Sequence, residues 1–276
     1  MKVAIGFFDG VHLGHQAILK DADAALTFRN HPLTVLASEK APRLIMSVEE
    51  RVAAIKACGV GEVTVLDFTR ELAETSAEEF VARHLMPFVS RLPSSVHCGA
   101  NWRFGKDGAG DAAFLRSLGI DVVVVPYVEY KDERVSSSRI RRCLENGEIE
   151  DANAMLGRRF KVQGLKFKGK ELGAKIGYPT INLKLEALNL KLPLGVYEVE
   201  AEGRKAIANY GLAPTMGDRA WSVPTMEMHF LHCPPPPLPS TSVNVGLLRF
   251  IRKEMKFDSI DDLKRQIAAD CATIAT

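Results

Sequence analysis

The sequence predicts two domains of different class: a doubly wound parallel α/β sheet, then a small antiparallel β-barrel followed by one helix. Three observations lead to this prediction. The first half alternates apolar strand-like runs with amphipathic helical segments, the second half has short strand-like runs separated by turn residues, and the chain closes on a capped helical pattern. With 276 residues, the chain is long enough for two domains with separate cores. We place the boundary at Gly157, which gives domains 1–157 and 158–276.

Five segments of the first half are predicted strands of the parallel sheet. The unbroken valine run at 122–125 is typical of a strand that is buried on both faces. Ser47 and Ser76 each precede a glutamate by three residues, a capping box that predicts a helix start between strands. Ligands bind such sheets at the carboxyl ends of the strands. The predicted strands are 3–7, 25–28, 62–68, 96–99 and 121–128.

The second half begins where a helical stretch, 150–156, ends at Gly157. The strand-like runs that follow are short and separated by turn residues, which predicts a small antiparallel barrel. Ser259 predicts the N-cap of the closing helix, and the proline-rich run 233–239 predicts a stiff connector between strands. The predicted barrel strands are 160–167, 195–200, 205–209, 225–231 and 243–250.

Composition excludes several classes of protein. The 36 basic and 34 acidic residues are nearly balanced, so we expect no nucleic-acid partner, and nothing indicates a particular protein partner. The start of the chain has no signal-peptide pattern and no apolar run is long enough to span a bilayer, so we expect a cytoplasmic protein without a membrane partner. The cysteines are scattered without a CxxC pair, which indicates reduced thiols: Cys58, Cys98, Cys143, Cys233 and Cys271.

The most specific motif follows the first predicted strand and reads GFFDGVHLGH from Gly6 to His15. A glycine turn leads into a helix, and His12 and His15 are three residues apart, so they share one face of its first turn. Two imidazole donors beside a helix N-terminus suit the α-phosphate of a nucleotide, whose oxygens gain charge during transfer. The motif therefore predicts nucleotidyl transfer without a covalent intermediate. It is not a Walker A loop.

Three further motifs are expected at the same edge of the sheet. RVSSSRIR, from Arg134 to Arg141, sets hydroxyls before a helix whose first turn carries arginines, against the helix dipole. A bound polyphosphate would explain that arrangement. The glycine-rich segment 99–110 follows a strand and suits a flexible loop that folds over a ligand. TFRNHP, which includes Asn30 and His31, adds donors after another strand.

Together these four motifs resemble the prokaryotic bifunctional riboflavin kinase/FAD synthetase family, in family order and over nearly the whole chain. The resemblance implies a Rossmann-like FMN adenylyltransferase domain that uses ATP, FMN and Mg²⁺ and releases FAD, followed by a riboflavin-kinase-like barrel. It implies catalytic roles for His12, His15, Asn101, Ser137 and Arg141. It implies ATP contacts by Gly6, Phe7, Phe8, Asp9, Gly10, His12, His15, Arg134, Ser137, Ser138 and Arg141, and flavin contacts by Asn30, His31, Asn101 and Phe104.

Two features of this half depart from the family pattern. Only about a dozen residues separate His15 from Thr27, so the first helix should be short. Ser138 stands where the family commonly has threonine, which keeps the hydroxyl.

In the second half, GYPTIN resembles the family's kinase motif GxPTxN. Thr180 and Asn182 face the same way in an extended segment, and their oxygens are suitable ligands for Mg²⁺. Glu227 matches the family's general base for the flavin hydroxyl.

The departures are larger in this domain. Ala174 stands at the place of a phosphate-binding arginine, where Lys170 or Lys175 could substitute only as a point charge. A proline run around Pro237 replaces the segment that normally helps to shape the flavin side. We therefore expect weak or absent riboflavin kinase activity, with a fully bifunctional enzyme as the alternative.

Two other functions remain open at this point. The HxGH motif alone would also fit an adenylyltransferase that acts on a pantetheine or nicotinamide nucleotide. A flavin-binding regulator that has lost catalysis is the non-enzymatic alternative, although the intact His12 and His15 pair argues against it.

Overall fold

The computed structural model describes residues 1–89, 95–169, 172–185, 190–214, 222–231 and 242–274. These residues form two compact units, Met1–Arg139 and Ile140–Thr276. The contacts within the chain group two helices before Gly157 with the barrel. The predicted domain boundary at Gly157 therefore stays a prediction. Cys233, Lys170 and the prolines around Pro237 lie outside the described residues.

The first unit is built on a five-stranded parallel sheet, in the order β3-β2-β1-β4-β5. β1 and β2 are almost fully buried, as their apolar runs require for strands covered on both faces. All five predicted strands are confirmed within a few residues at their ends. The valine run, however, forms an edge strand in which Val123 is 41% exposed, so its expected burial on both faces is wrong. Their bounds are β1 Lys2–Ile5, β2 Ala24–Phe28, β3 Glu62–Leu66, β4 Ser95–Gly99 and β5 Asp121–Val125.

Short helices connect these strands. The predicted capping box at Ser47 is complete, because its hydroxyl accepts the Glu50 N–H at 3.2 Å and the Glu50 carboxylate accepts the Ser47 N–H at 2.7 Å. The first helix has seven residues, which confirms that it is short. The helices are α1 Leu13–Leu19, α2 Leu33–Leu36, α3 Val48–Ala57, α4 Arg70–Glu74, α5 Ala77–Phe80, α6 Met86–Val89 and α7 Ala112–Ser117, with a π-helical turn at Val81–Leu85.

A two-stranded hairpin, β6 Glu129–Tyr130 and β7 Glu133–Arg134, follows the sheet and leads into α8, Ser137–Asn146. Arg139 clamps this hairpin, since its Nη1 donates to the Tyr130 and Glu133 carbonyls at 2.8 Å each. The Ser136 hydroxyl caps α8 by accepting the Arg139 N–H at 3.3 Å.

The second unit contains a closed antiparallel barrel in the order β10-β11-β12-β9-β8-β13. Five of its strands were predicted; the sixth, β9, falls within and after the GYPTIN motif. The helices α9, Ile149–Leu156, and α10, Leu172–Lys175, and the closing helix α11, Ile260–Ala272, complete the unit. The barrel strands are β8 Phe160–Phe167, β9 Ile181–Leu185, β10 Gly195–Ala201, β11 Arg204–Pro214, β12 Ser222–Phe230 and β13 Ser242–Lys253.

The closing helix is held to the barrel by a buried ion pair. Asp270 is 4% exposed and accepts from Arg252 Nη2 at 2.7 Å and Nε at 3.0 Å, with Gln266 Nε2 at 2.8 Å. A buried carboxylate needs such partners, and here all its donors come from β13 and from α11 itself. Within the described ranges, every helix is too short or too polar to cross a bilayer.

We expect Asp270→Ala to lower the free energy of unfolding of the barrel by about 3 kcal/mol or more, because it leaves the largely buried Arg252 guanidinium without its partner. Asp261→Ala, on the exposed first turn of the same helix, is the control and should cost less than about 1 kcal/mol. Urea denaturation of both variants measures the difference. Equal losses would show that the ion pair does not hold the helix.

Candidate active sites

The turn after β1 is strained and firmly held. Phe8 and Val11 have φ angles of 57° and 40°, and Gly10 has 82°. A left-handed conformation is costly for a β-branched residue such as Val11, so the surroundings must hold it. Both carboxylate oxygens of buried Asp9 accept the Ile45 N–H, at 3.0 and 3.2 Å, and Ser137 Oγ donates to the Asp9 carbonyl at 2.8 Å. This turn sets the direction in which the chain enters α1.

The two motif histidines form a stacked pair at the start of α1. His12 is the N-cap, because its Nδ1 accepts the His15 N–H at 3.3 Å. The ring centroids are 3.6 Å apart with an interplanar angle of 17°. A Cβ at Gly14 would lie 3.2 Å from the His12 ring, so the lack of a side chain at Gly14 leaves space for this ring. Since Nδ1 accepts, the neutral His12 ring carries its proton on Nε2 and is a donor there.

The surroundings of His15 favour its neutral form. Burial lowers the pKa of His15 well below its usual value, and His12, Arg134 and Arg51 lower it further. His15 Nδ1 is shielded from solvent and has no hydrogen-bond partner among the described residues. His15 is therefore a polar but uncharged group beside positive charges, an arrangement that suits an anionic ligand.

Residues from the other motifs meet at the same sheet edge. Asn101 follows β4, and its Oδ1 accepts from Arg134 Nη2 at 3.4 Å. The Arg134 guanidinium also lies 3.7 Å from the centroid of the Tyr127 ring. Ser137 begins α8 and contacts the β1 turn, and Ser138 is exposed beside it. Arg141 lies one helical turn further along α8, in the part of the chain that groups with the second unit.

The glycine-rich segment 99–110 is pinned, which corrects the expectation of a flexible loop. Phe104 pairs with Gly110, Lys106 N donates to the Thr75 carbonyl at 2.8 Å, and Lys106 Nζ pairs with Glu74 at 2.8 Å. A Cβ at Gly105 would lie 2.8 Å from the Ala77 backbone. Close packing, and not mobility, therefore explains that glycine.

Two of the predicted flavin contacts have internal partners. Phe104 is 6% exposed and packs in the core with Phe80 and Trp102. Asn30 joins the ends of β2 and β3, since its Nδ2 donates to the Phe68 carbonyl at 2.9 Å and its Oδ1 accepts the Phe68 N–H at 3.0 Å. His31 is half-buried and packs edge-on against Phe7 at 4.9 Å.

One residue near this site was missed by the sequence analysis. Arg51 of α3 is fully buried, lies 4.2 Å from the centroid of the Phe7 ring and donates to the backbone at the end of β2. No motif marks it, because a basic residue in a helix is ordinarily solvated.

The second unit has a cavity of about 570 Å³ beside the barrel and α11. Register aligns three polar residues on adjacent strands: Glu227 of β12 stands opposite Asn182 of β9 and Asn209 of β11. Opposite residues share a face of the sheet, and Glu227, Asn209 and Thr180 line the cavity. Asn209 was not predicted. The cavity is also lined by His229, Arg252, Glu254, Phe257, Leu263, Ile267 and Asp270.

The glycine segment before the GYPTIN motif packs tightly around it. A Cβ at Gly173 would lie 2.3 Å from the Tyr178 carbonyl, and one at Gly169 would lie 2.4 Å from Asn182 Nδ2. Ala174 of α10 is exposed, so the position has room for a longer side chain. His229 Nδ1 lies 2.9 Å from the Pro179 carbonyl and holds the motif against β12.

Comparisons with known proteins match each half of the chain to a family. The FAD synthetase family matches residues 1–139, and the riboflavin kinase family matches residues 156–276. The bifunctional riboflavin kinase/FMN adenylyltransferase of Escherichia coli K12 is 31% identical over 287 residues, which cover 97% of this chain and 90% of that protein.

The chain belongs to the bifunctional riboflavin kinase/FMN adenylyltransferase family.

Other members of this family match over similar lengths. The Listeria monocytogenes protein is 31% identical and the Bacillus subtilis protein 29%, each over 97% of this chain and 89% of the relative. A crystal structure described as a macrolide-efflux protein from Streptococcus pneumoniae has a TM-score of 0.82 at 30% identity, over 98% of this chain and 91% of that one. The predicted family, fold class and enzyme class are thus confirmed, and the matches do not favour a pantetheine or nicotinamide acceptor.

We expect His12→Ala and His12→Asn to separate the cap from the chemistry. Alanine removes the N-cap and should cost about 1 kcal/mol of stability, whereas asparagine caps well and should cost little. Both variants lose the imidazole donor, so formation of FAD from FMN should fall at least about 10²–10³-fold in both. Thermal unfolding and a chromatographic FAD assay measure the two effects. Near-normal FAD formation by His12→Asn would contradict the assigned role.

Proposed function

We propose that the first unit transfers AMP from ATP to FMN. A phosphate oxygen of FMN attacks the α-phosphorus of ATP, the bond from that phosphorus to the β-phosphate oxygen breaks, and pyrophosphate leaves with FAD as the product. The observation that carries this proposal is the convergence of the stacked His12 and His15 rings with Arg134 and Asn101 at one sheet edge. No covalent intermediate is needed.

In this proposal, His12 and His15 donate to the oxygens of the α-phosphate as charge develops on them. The Nε2 donor of His12 follows from its capping bond, and the low pKa of His15 supports a neutral donor there. Arg134 binds the polyphosphate, with the hydroxyls of Ser137 and Ser138, and a phosphate contact by Arg141 stays a prediction. The backbone of residues 6–10 approaches the nucleotide. Asn101 is within reach of Arg134 and orients it.

The flavin contacts need a more specific assignment. The amide of Asn30 is hydrogen-bonded within the protein, and the ring of Phe104 is buried. We therefore propose that both residues act indirectly, by holding their loops in place. His31, which is half-buried beside Phe7, remains a direct candidate on the flavin side. Cytoplasmic location and the absence of a nucleic-acid partner stay predictions.

For the second unit, we propose riboflavin phosphorylation. The flavin 5′-hydroxyl attacks the γ-phosphorus of ATP, Glu227 accepts the hydroxyl proton, and ADP leaves. Support comes from the row of Asn182, Glu227 and Asn209 on adjacent strands beside a cavity of about 570 Å³. Such a volume suits a small-molecule ligand.

Magnesium fits the oxygens available at this site. Thr180 supplies a hydroxyl and Asn182 an amide oxygen, which are hard ligands that Mg²⁺ accepts together with substrate phosphates. The bound ion would neutralise phosphate charge. Thr180 lines the cavity, and Asn182 stands opposite Glu227 in the barrel.

We further propose that this kinase is slower than a typical family member, because Ala174 offers no guanidinium to the phosphates. Lys175 follows it on the same short helix and supplies only a point charge. Full bifunctionality, with Ala174 tolerated, is the alternative.

A paired assay tests the proposed function. Purified protein is incubated with ATP and Mg²⁺ and either FMN or riboflavin, and the products are separated by chromatography. We expect FAD at a high rate from FMN, and FMN and FAD only slowly from riboflavin. Equal rates would support full bifunctionality. Absence of FAD in both reactions would overturn the proposal and favour a flavin-binding protein.

We expect Ala174→Arg to raise riboflavin phosphorylation, by roughly tenfold or more if the added guanidinium contacts phosphate. Ala174→Gln lengthens the side chain without charge and should leave the rate unchanged. Neither substitution should alter adenylylation of FMN. A rate that does not rise with arginine would exclude Ala174 as the cause of slow phosphorylation.

A further inference from the structure

Arg51 is the largest fully buried side chain among the described residues. Its Nη2 donates to the Phe28 carbonyl at 2.5 Å and to the Arg29 carbonyl at 3.0 Å. Nε and Nη1 are buried and have no hydrogen-bond partner in the described part of the chain. A buried cation with unsatisfied donors is destabilising, and an apolar side chain of similar size is often better tolerated. The arginine therefore needs an explanation other than stability.

The contacts of Arg51 connect two loops of the adenylyl-transfer site. The carbonyls that it binds belong to the end of β2 and to the segment that carries Asn30 and His31. Its guanidinium lies 4.2 Å from the centroid of the Phe7 ring, and the His31 ring packs edge-on against Phe7 at 4.9 Å. The side chain thus joins α3 to the turn after β1 and to the loop after β2.

Arg51 also supplies a positive charge behind the histidine pair. Burial lowers the pKa of His15 most, followed by His12 and Arg134, and the charge of Arg51 adds a smaller effect in the same direction. The carboxylates of Asp9 and Glu49 face Arg51 and favour its charged form, against the desolvation that lowers its pKa. The ion has no exposed surface, so salt screens its field much less than that of a surface charge.

We propose that Arg51 is a positioning residue of the adenylyl-transfer site, which holds the Phe7 turn and the Phe28–His31 segment together. The proposal rests on the proposed adenylyl transfer. Arg51 touches no substrate in it; it acts through Phe7, through the two backbone carbonyls and through its charge.

Three variants of α3 test the proposal. Arg51→Met removes the charge and the donors but keeps an unbranched side chain. Arg51→Lys keeps the charge with fewer donors. Lys56→Met removes an exposed charge from the same helix and is the matched control.

The first readout needs no turnover. The imidazole resonances are titrated by NMR in each variant, and His15→Asn identifies the His15 signal. We expect the His15 pKa to rise in Arg51→Met, and to stay at its original value in Arg51→Lys and Lys56→Met. Because this measurement is independent of catalysis, failure of the proposed function would leave it intact. An unchanged His15 titration in Arg51→Met would overturn the charge assignment.

The second readout is the adenylylation of FMN over a range of pH. Arg51→Met should lower kcat/KM about 10–100-fold and move the acid limb of the pH profile to higher pH. Arg51→Lys should leave the acid limb at its original pH and raise KM. Thermal unfolding should show no matching loss of stability in Arg51→Met. Equal losses of activity in both Arg51 variants, with an unchanged pH profile and a lower Tm, would show a purely structural role and overturn the proposal. Should Arg51→Met not fold, Arg51→Gln replaces it with the same expectations.

Discussion

The strained turn after β1 is the constraint on which the first site depends. Phe8 and Val11 hold left-handed backbone angles that cost about 1–3 kcal/mol each for residues with side chains. They persist because both side chains are buried and because Asp9 between them is held by two contacts. Its carboxylate accepts the Ile45 N–H, and its carbonyl accepts the Ser137 hydroxyl. The strain sets the entry into α1, so that His12 can cap the helix and stack on His15.

In the second unit, the register of the paired barrel strands is the constraint on the site. Closing six strands leaves no strand free to slip by one residue, since a slip would move every side chain to the other face. Asn182, Glu227 and Asn209 are distant along the chain, yet pairing sets them side by side. Gly169 and Gly173 pack tightly on the GYPTIN segment, and the Arg252–Asp270 pair fixes α11, so that the walls of the cavity lined by Glu227 and Asn209 are held in place.

Charge in the first site is arranged for an anionic ligand. Arg134 lies over the Tyr127 ring, Arg51 lies over the Phe7 ring, and His15 beside these charges favours its neutral form. Polyphosphate oxygens would face donors that require little rearrangement, since a capping bond, stacking and buried contacts already fix them. The histidines would thus supply hydrogen bonds to the ligand, and the arginines would supply positive charge.

Many structural features of this protein could be predicted from the sequence because the patterns that indicate them are local. Apolar runs predicted the five parallel strands, Ser47 and Glu50 predicted a helix start, and the spacing of His12 and His15 predicted their shared face. Only tertiary structure decided the rest. Strand β9, the pinned loop 99–110, the internal bonds of Asn30 and the buried Arg51 depend on partners distant in sequence. Pattern and propensity describe what a segment prefers, whereas the burial of a charge or an amide is set by what the folded chain packs against it.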